Sequence, residues 1–224
     1  MAEVPYALLV AGTVVVGLLV SNYVYDRGVP NYVSRKIGHG AGGLAFLMSF
    51  MFLSSVWAMI LAGAFGAVLY LARVIRPSTF RGVGGTGRSR NVMAEIWFAL
   101  VAVPVVFISW YWLGRADIAI ASLLFMAWGD GITGLVRARV YHRPVKGWWG
   151  SLAMLVVCVA LALAFIRPFW IGAFAAGVAV VVEYLYGDNG SIKWADDNLA
   201  VPLAGMGVML LLMLFTGNLV LEGI

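Results

Sequence analysis

The sequence has few charged residues, and this scarcity indicates its class. Asp, Glu, Lys and Arg together make up 11% of the chain, whereas hydrophobic residues make up 63%. Soluble domains carry about a quarter charged residues and about half apolar ones. The 224 residues have room for about eight helical spans of about 20 residues each. We therefore predict an all-α, polytopic transmembrane bundle that forms a single integral-membrane domain over residues 1–224.

Cysteine and histidine are also rare. The chain contains one cysteine, Cys158, and two histidines, His39 and His142. A single cysteine excludes an internal disulfide framework and a cysteine-based metal site. The net charge of +5 in so apolar a chain indicates membrane orientation and attraction to anionic lipid rather than a nucleic-acid partner.

Long hydrophobic segments separated by short polar loops define the predicted spans. The stretch from Gly38 to Ala72 contains no Asp, Glu, Lys or Arg, and His39 is its only basic residue. As one helix it would measure about 52 Å, against a bilayer core of about 30 Å. We therefore divide it into two short spans that turn near Ser54 and Ser55.

The basic residues give an independent check on this division. With eight spans, thirteen of the fifteen Lys and Arg residues fall on one side, and only Arg115 and Arg167 fall on the other. The positive-inside rule then predicts both termini outside and four basic loops in the cytoplasm. We expect a prokaryotic plasma membrane protein whose site faces the cytoplasm.

Asp130 stands inside a predicted span, after the apolar run from Ile118 to Gly129. An intramembrane acid is costly, so it usually faces a protein interior, has a partner and marks a functional site. Asp130, Thr133, Gly134 and Arg137 lie on one helical face, and Arg137 is the first charge expected to reach water. The alternative is a helix-packing stripe with a buried ion pair.

The polar residues of interest gather at the predicted cytoplasmic ends of the spans. They comprise Arg35, Lys36, His39, the loop from Arg81 to Arg90, Glu95, Asp130, Lys146, Glu183, Asp196, Asp197 and Asn198. Carboxylate and amide oxygens suit Mg²⁺, which is commonly held by protein carboxylates and substrate phosphates together. Arg and Lys bind phosphate, and glycine-rich backbone can present N–H groups to it. The combination predicts a site for a metal-bound polyphosphate.

Each motif has a simpler interpretation when taken alone. The 81–90 loop lacks the Gly-Lys-Ser/Thr ending of a Walker A loop and equally fits a flexible basic linker. His39 equally fits a packing histidine, and Asp196 to Asn198 equally fit a helix cap. A basic rim by itself is explained by membrane orientation.

The order of the motifs is more specific, and it resembles the dolichol kinase and phytol kinase family over about residues 34–204. The resemblance is carried by Ser34-Arg-Lys-Ile-Gly-His39, Glu95 early in a span, Gly129-Asp130-Gly131 with Gly134, Lys146 before Gly150-Ser151, Glu183, and Asp196-Asp-Asn-Leu-Ala-Val-Pro202. It implies a polytopic enzyme that phosphorylates a long-chain isoprenoid alcohol with CTP. A fungal CTP-dependent diacylglycerol kinase belongs to the same broad group, and CDP-lipid synthases are more distant relatives.

The resemblance also implies roles for individual residues. The catalytic candidates are Asp130, Glu95, His39 and Lys146. The nucleotide- and phosphate-binding candidates are Arg35, Lys36, Arg81, Gly84, Gly85, Gly87, Arg88, Arg90, Gly129, Gly131, Gly134, Arg137, Lys146, Gly150 and Ser151. The Mg²⁺ candidates are Asp130, Asp196, Asp197, Asn198 and Glu183. Either Glu95 or Asp130 fits the base that accepts the proton of the alcohol.

The expected partners follow from these roles. They are a membrane lipid alcohol, CTP as co-substrate, Mg²⁺ as cofactor and the bilayer itself, with no nucleic acid. A homo-oligomer is compatible with the sequence but not required by it. A CDP-lipid synthase, a diacylglycerol kinase and a transporter are the alternative functions.

Overall fold

The computed structural model describes residues 3–84, 93–143, 145–186, 192 and 196–219. Within these residues the chain is helical, apart from an isolated parallel bridge between Tyr186 and Ile192. The long helices are α1 (Val4–Asp26), α2 (Asn31–Phe52), α3 (Ser55–Ile75), α4 (Ala94–Trp112), α5 (Ala116–Tyr141), α6 (Trp148–Phe165), α7 (Phe169–Leu185) and α8 (Asp197–Phe215). This architecture confirms the predicted all-α membrane bundle.

The predicted division of residues 38–72 is confirmed, but neither helix is short. α2 ends at Phe52 and α3 begins at Ser55, so the turn lies where the sequence indicated. α2 begins at Asn31 and has 22 residues, which makes it about 33 Å long. Arg35, Lys36 and His39 therefore lie within a helix rather than in the loop before it.

Six of these helices are long and apolar enough to cross a membrane. They are α1, α3, α4, α5, α6 and α8. α7 is apolar but has only 17 residues, and α2 carries the charged residues near its beginning. The exact number of spans and the position of the termini stay predictions.

α5 is the central helix of the bundle. It packs against α2, α4, α6 and α8, and side chains such as Ile118, Leu124 and Phe125 are completely buried. A helix that is apolar on all sides is expected where protein surrounds it. The central position explains why Asp130 can find partners on several neighbouring helices.

α4 and α5 are not regular throughout. α4 changes from an α-helix to a π-helix over Val106–Trp112, just after Pro104, which cannot donate a backbone hydrogen bond. α5 widens over Phe125–Asp130 and again over Arg137–Tyr141. Single π turns inside α-helices are frequent at functional sites, and Asp130 closes the first of them.

A one-turn helix, Arg81–Gly84, fixes the beginning of the glycine-rich loop against α1 and α2. The Asn22 carboxamide oxygen accepts the Gly82 backbone N–H at 2.8 Å, and the Ser34 hydroxyl donates to the Gly82 carbonyl at 2.7 Å. A side chain at Gly82 would collide with the α1 backbone at Ser21. Glycine is therefore required for this close approach.

Candidate active site

Asp130 is paired with Lys36, which α2 brings to it across the bundle. The Lys36 Nζ atom lies 2.7 Å from Asp130 Oδ2, and both side chains are at least nine-tenths buried. The Thr133 hydroxyl donates to Asp130 Oδ1 at 2.9 Å. The buried ion pair that was one interpretation of this helix is thus present, and Lys36 and Thr133 together engage both oxygens of the carboxylate.

Gly134 makes this pairing possible. A Cβ atom at position 134 would lie 2.5 Å from both Cγ and Cε of Lys36. The lysine stem therefore crosses α5 at the point where α5 has no side chain. The space at Gly134 is taken up by Lys36 rather than left open.

Glu183 of α7 is the centre of a second cluster. Its side chain is completely buried, and its Oε1 atom accepts from the Arg137 guanidinium and from Lys146 Nζ, the latter at 2.9 Å. Lys146 also lies 3.1 Å from Asp197 Oδ2 at the beginning of α8. The prediction that Arg137 reaches water is wrong, because this arginine turns inward to the buried glutamate.

The two clusters adjoin at three carboxylates that could hold a metal ion. Asp130, Glu183 and Asp197 each offer an oxygen, and these three oxygens lie within 4.8 Å of one another. Glu183 Oε2 is buried and has no hydrogen-bond partner. An all-oxygen donor set with an unpaired carboxylate oxygen fits Mg²⁺.

Six charged groups at the centre of this site balance one another. The carboxylates of Asp130, Glu183 and Asp197 are paired with the cations of Lys36, Arg137 and Lys146. Three negative and three positive groups therefore cancel. A divalent cation alone would disturb this balance, whereas a cation that arrives with a polyphosphate would bring its own counter-charge.

Asp196 and Asp197 have different roles at the beginning of α8. Asp196 is the N-cap, and its Oδ1 atom accepts the backbone N–H of Asn198 at 2.9 Å. Burial and the nearby charge of Asp197 raise the pKa of Asp196 to about 7. Asp197 instead points to Lys146. The capping interpretation is therefore confirmed for Asp196, and its predicted role as a metal ligand stays untested.

Lys146 lies in the short connection between α5 and α6. Burial lowers the pKa of its ammonium, but the carboxylates of Asp197 and Glu183 offset this effect, so the pKa lies above its ordinary value. Lys146 is thus held in its charged form where three helices meet.

An apolar cavity of about 100 Å³ adjoins the charged cluster. Its polar end is formed by Arg35, His39, Glu95 and Asn198. His39 links the two regions, because its Nδ1 atom lies 3.5 Å from Asp130 Oδ2 while its ring lines the cavity. Asn198 Oδ1 is buried and has no hydrogen-bond partner among the described residues, so it is available to a ligand at this end of the cavity.

The remaining predicted site residues are less closely gathered. Arg81 pairs with Asp26 at 2.7 Å, and a Cβ at Gly84 would lie 3.1 Å from Glu95 Oε1. Gly129, Gly131 and Gly150 face Cys158, His39 and Thr133 of neighbouring helices, while Ser151 lies in the first turn of α6. Gly85, Gly87, Arg88 and Arg90 lie outside the described residues. Nucleotide binding by any of these positions stays a prediction.

Two contacts of the site were not predicted from the sequence. Arg73, at the end of α3, pairs with Glu95, and Thr133 bonds Asp130 as described above. From the sequence alone, Arg73 is one of the thirteen basic residues predicted on the cytoplasmic side. Its position one turn before the end of an apolar helix gives no indication that the partner lies 22 residues later.

Comparisons with curated proteins place the chain near several kinases. It is 29% identical to "Phytol kinase" of Synechocystis sp., over 78% of this chain and 76% of the relative. It is 26% and 28% identical to proteins named "Probable phytol kinase, chloroplastic" of Triticum aestivum and Zea mays, over 86% and 97% of this chain and 71% and 81% of the relatives. These relatives confirm the predicted resemblance to the phytol and polyprenol kinase family. No protein-family model and no solved structure matches the chain.

Proposed function

We propose that the chain is a membrane-embedded lipid-alcohol kinase that transfers the γ-phosphoryl group of CTP to an isoprenoid alcohol such as phytol, geranylgeraniol or a polyprenol. The observation that carries this proposal is the meeting of a buried cluster of carboxylates and cations with an apolar cavity at His39. One region suits a polyphosphate, the other suits a hydrocarbon tail, and a lipid hydroxyl would lie between them. The phytol kinase names of the relatives agree with this division.

The charged cluster supplies the groups that phosphoryl transfer requires. Such a transfer depends mainly on positioning and charge stabilisation. Asp130, Glu183 and Asp197 would hold Mg²⁺, which when bound neutralises charge on the transferring phosphate. Lys146 and Arg137 would exchange their carboxylate partners for phosphate oxygens. Arg35 and the arginines of the 81–90 loop would add positive charge near the nucleotide.

Glu95 is the better candidate for the base. It lines the polar end of the cavity, whereas Asp130 is not among the lining residues of the described chain. Both oxygens of Asp130 are also engaged, by Lys36 and Thr133. In the proposed step the alcohol oxygen bonds to the γ-phosphorus, the bond to the β–γ bridging oxygen breaks, CDP leaves with the electron pair, and Glu95 takes the hydroxyl proton.

The site is proposed to face the cytoplasm of a prokaryotic plasma membrane. The charge distribution of the sequence supports this orientation. The cyanobacterial relative is compatible with this location, whereas the plant relatives are named chloroplastic.

The proposal is tested by identifying the products. Purified protein in detergent is incubated with Mg²⁺, γ-labelled CTP and phytol, geranylgeraniol, a polyprenol or diacylglycerol in turn. We expect labelled lipid monophosphate and CDP, with none from Glu183→Gln protein of unchanged fold. In a parallel incubation with phosphatidate in place of the alcohol, formation of pyrophosphate and a CDP-lipid would identify a CDP-lipid synthase instead. Absence of lipid phosphate with every alcohol and with CTP, ATP and GTP would rule out a kinase.

A further inference from the structure

The cavity beside the charged cluster is long and follows α2. The residues of α2 that line it run from Arg35 at the polar end to Ser49 at the far end. Fourteen residues of helix correspond to about 21 Å. α1 and α3 form its sides, with Leu18 and Leu69 nearer the polar end and Val10 and Ala58 nearer the far end.

The walls beyond the polar end offer nothing to a polar ligand. They consist of aliphatic and aromatic side chains such as Val14, Leu61 and Phe65. Ser49 is the exception, but its hydroxyl donates to the Ala45 carbonyl at 2.8 Å and is thus already bonded. Placing a polar group here without a partner is unfavourable, so the chemistry of this part selects hydrocarbon.

The far end is closed by residues that two cavities share. Phe46, Ser49 and Ala58 line both the long cavity and a smaller one of about 20 Å³ beyond it. These three side chains therefore form a partition between the cavities. A tail that reaches the partition must stop, bend aside or displace it.

We infer that the long cavity holds the tail of the lipid alcohol, and that Ser49 and Ala58 determine the longest tail that is fully enclosed. This inference rests on the proposed kinase function and adds a basis for its selectivity. An extended chain advances about 1.2 Å per backbone bond, so about 21 Å accommodates about seventeen bonds. A tail with about sixteen main-chain atoms, as in phytol or geranylgeraniol, matches this length, and the apolar wall side chains would have to move apart to admit it because the cavity volume is only about 100 Å³. A shorter tail does not reach the far end, and a longer polyprenol cannot be fully enclosed.

The inference is tested with a matched pair of variants on α3. Ala58→Leu fills the far end of the cavity, whereas Ala67→Leu adds the same atoms to an exposed position of the same helix. The measurement is the ratio of phosphorylation rates with geranylgeraniol and with farnesol, which has one isoprene unit fewer. A ratio does not depend on the fraction of protein that is folded.

We expect Ala58→Leu to lower this ratio about tenfold or more, as pocket contacts with one hydrocarbon group commonly do. Ala67→Leu should leave it within about twofold of the unsubstituted protein. An unchanged ratio in Ala58→Leu, or an equal change in both variants, would overturn the inference. Ser49→Leu, which fills the same end from α2, replaces Ala58→Leu if that protein is not recovered in folded form, and the same outcomes apply.

A binding measurement separates failure of this inference from failure of the kinase function. The proteins are placed in phospholipid nanodiscs, and the shift of the thermal unfolding temperature caused by geranylgeraniol is recorded. If no alcohol is phosphorylated, the kinase proposal fails, but a shift in the unsubstituted and Ala67→Leu proteins that Ala58→Leu abolishes still supports the tail site. No shift in any of them, or an equal shift in all three, refutes it.

Discussion

At the scale of single residues, the pairing of Asp130 with Lys36 has two explanations. If the pair is only structural, the protein stays stable when both charges are removed together. If Asp130 is a metal ligand, activity requires its carboxylate whether or not Lys36 is present. Because both side chains are nearly inaccessible to solvent, removal of one partner leaves an uncompensated buried charge, which costs about 3–5 kcal/mol.

A double variant distinguishes these explanations. Asp130→Asn should lower the free energy of unfolding by about 3–5 kcal/mol, and Lys36→Met together with Asp130→Asn should recover most of this loss. If Asp130 binds Mg²⁺, neither protein phosphorylates a lipid alcohol. Thermal unfolding and the kinase assay are measured on the same samples, and activity in the stable double variant would reduce Asp130 to a packing role.

Substitution of Glu95 tests its proposed role as the catalytic base. Glu95→Gln keeps the size of the side chain but removes the proton acceptor, so we expect kcat to fall by about 10²–10⁴-fold with little change in KM for the alcohol. Steady-state rates at several alcohol concentrations provide both constants. An unaltered kcat would assign the base elsewhere, and a change confined to KM would make Glu95 a binding residue.

At the scale of helices, the first residues of α8 include both the N-cap of the helix and side chains of the candidate active site. Asp196 bonds the Asn198 backbone N–H, while Asp197 and Asn198 face the charged cluster and the cavity. The two roles are separable because asparagine caps a helix about as well as aspartate does.

Substitution of Asp196 therefore shows whether it has more than the capping role. Asp196→Asn should unfold at the same temperature as the unsubstituted protein, whereas Asp196→Ala should lose about 1 kcal/mol of stability. If capping is its whole role, Asp196→Asn also keeps its affinity for CTP with Mg²⁺, measured by calorimetry. A marked loss of that affinity in a stable Asp196→Asn protein would show that its charge contributes to the site.

Helix positions were largely predictable, whereas the partners of the charges were not. The length of the apolar segment 38–72 predicted a turn near Ser54, and the excess of basic residues on one side of the membrane supported that turn. The predicted span begins at Gly38, where the run without Asp, Glu, Lys or Arg begins, whereas α2 begins at Asn31. Lys36 is neutralised by a carboxylate 94 residues away, and Arg137 by one 46 residues away. Such distances along the chain carry no periodic signal.

At the scale of the whole molecule, the chain offers a convenient way to test the predicted orientation in the membrane. Cys158 is the only cysteine and is completely buried, so we expect it not to react with thiol reagents. Arg139 and Arg167 are both exposed, and the predicted topology places them on opposite sides of the membrane.

Cysteines introduced at these two positions should differ in reactivity. The cells are intact but have their outer membrane and cell wall removed. Arg167→Cys should then react with a membrane-impermeant maleimide, whereas Arg139→Cys should react only after the plasma membrane is permeabilised. The unsubstituted protein is the control for Cys158. The reverse pattern would place the charged cluster on the outer face, where CTP is not available.

The internal neutrality of the charged cluster has a consequence for how the protein is made. A chain whose buried acids and bases cancel can be inserted into the bilayer and fold before it meets any nucleotide. Under the proposed function, binding would be an ion exchange, in which phosphate oxygens would replace carboxylates around Lys146 and Arg137 and the released carboxylates would be free to hold the metal. Newly made protein would accordingly wait in the membrane, folded and idle, until metal and nucleotide arrive together.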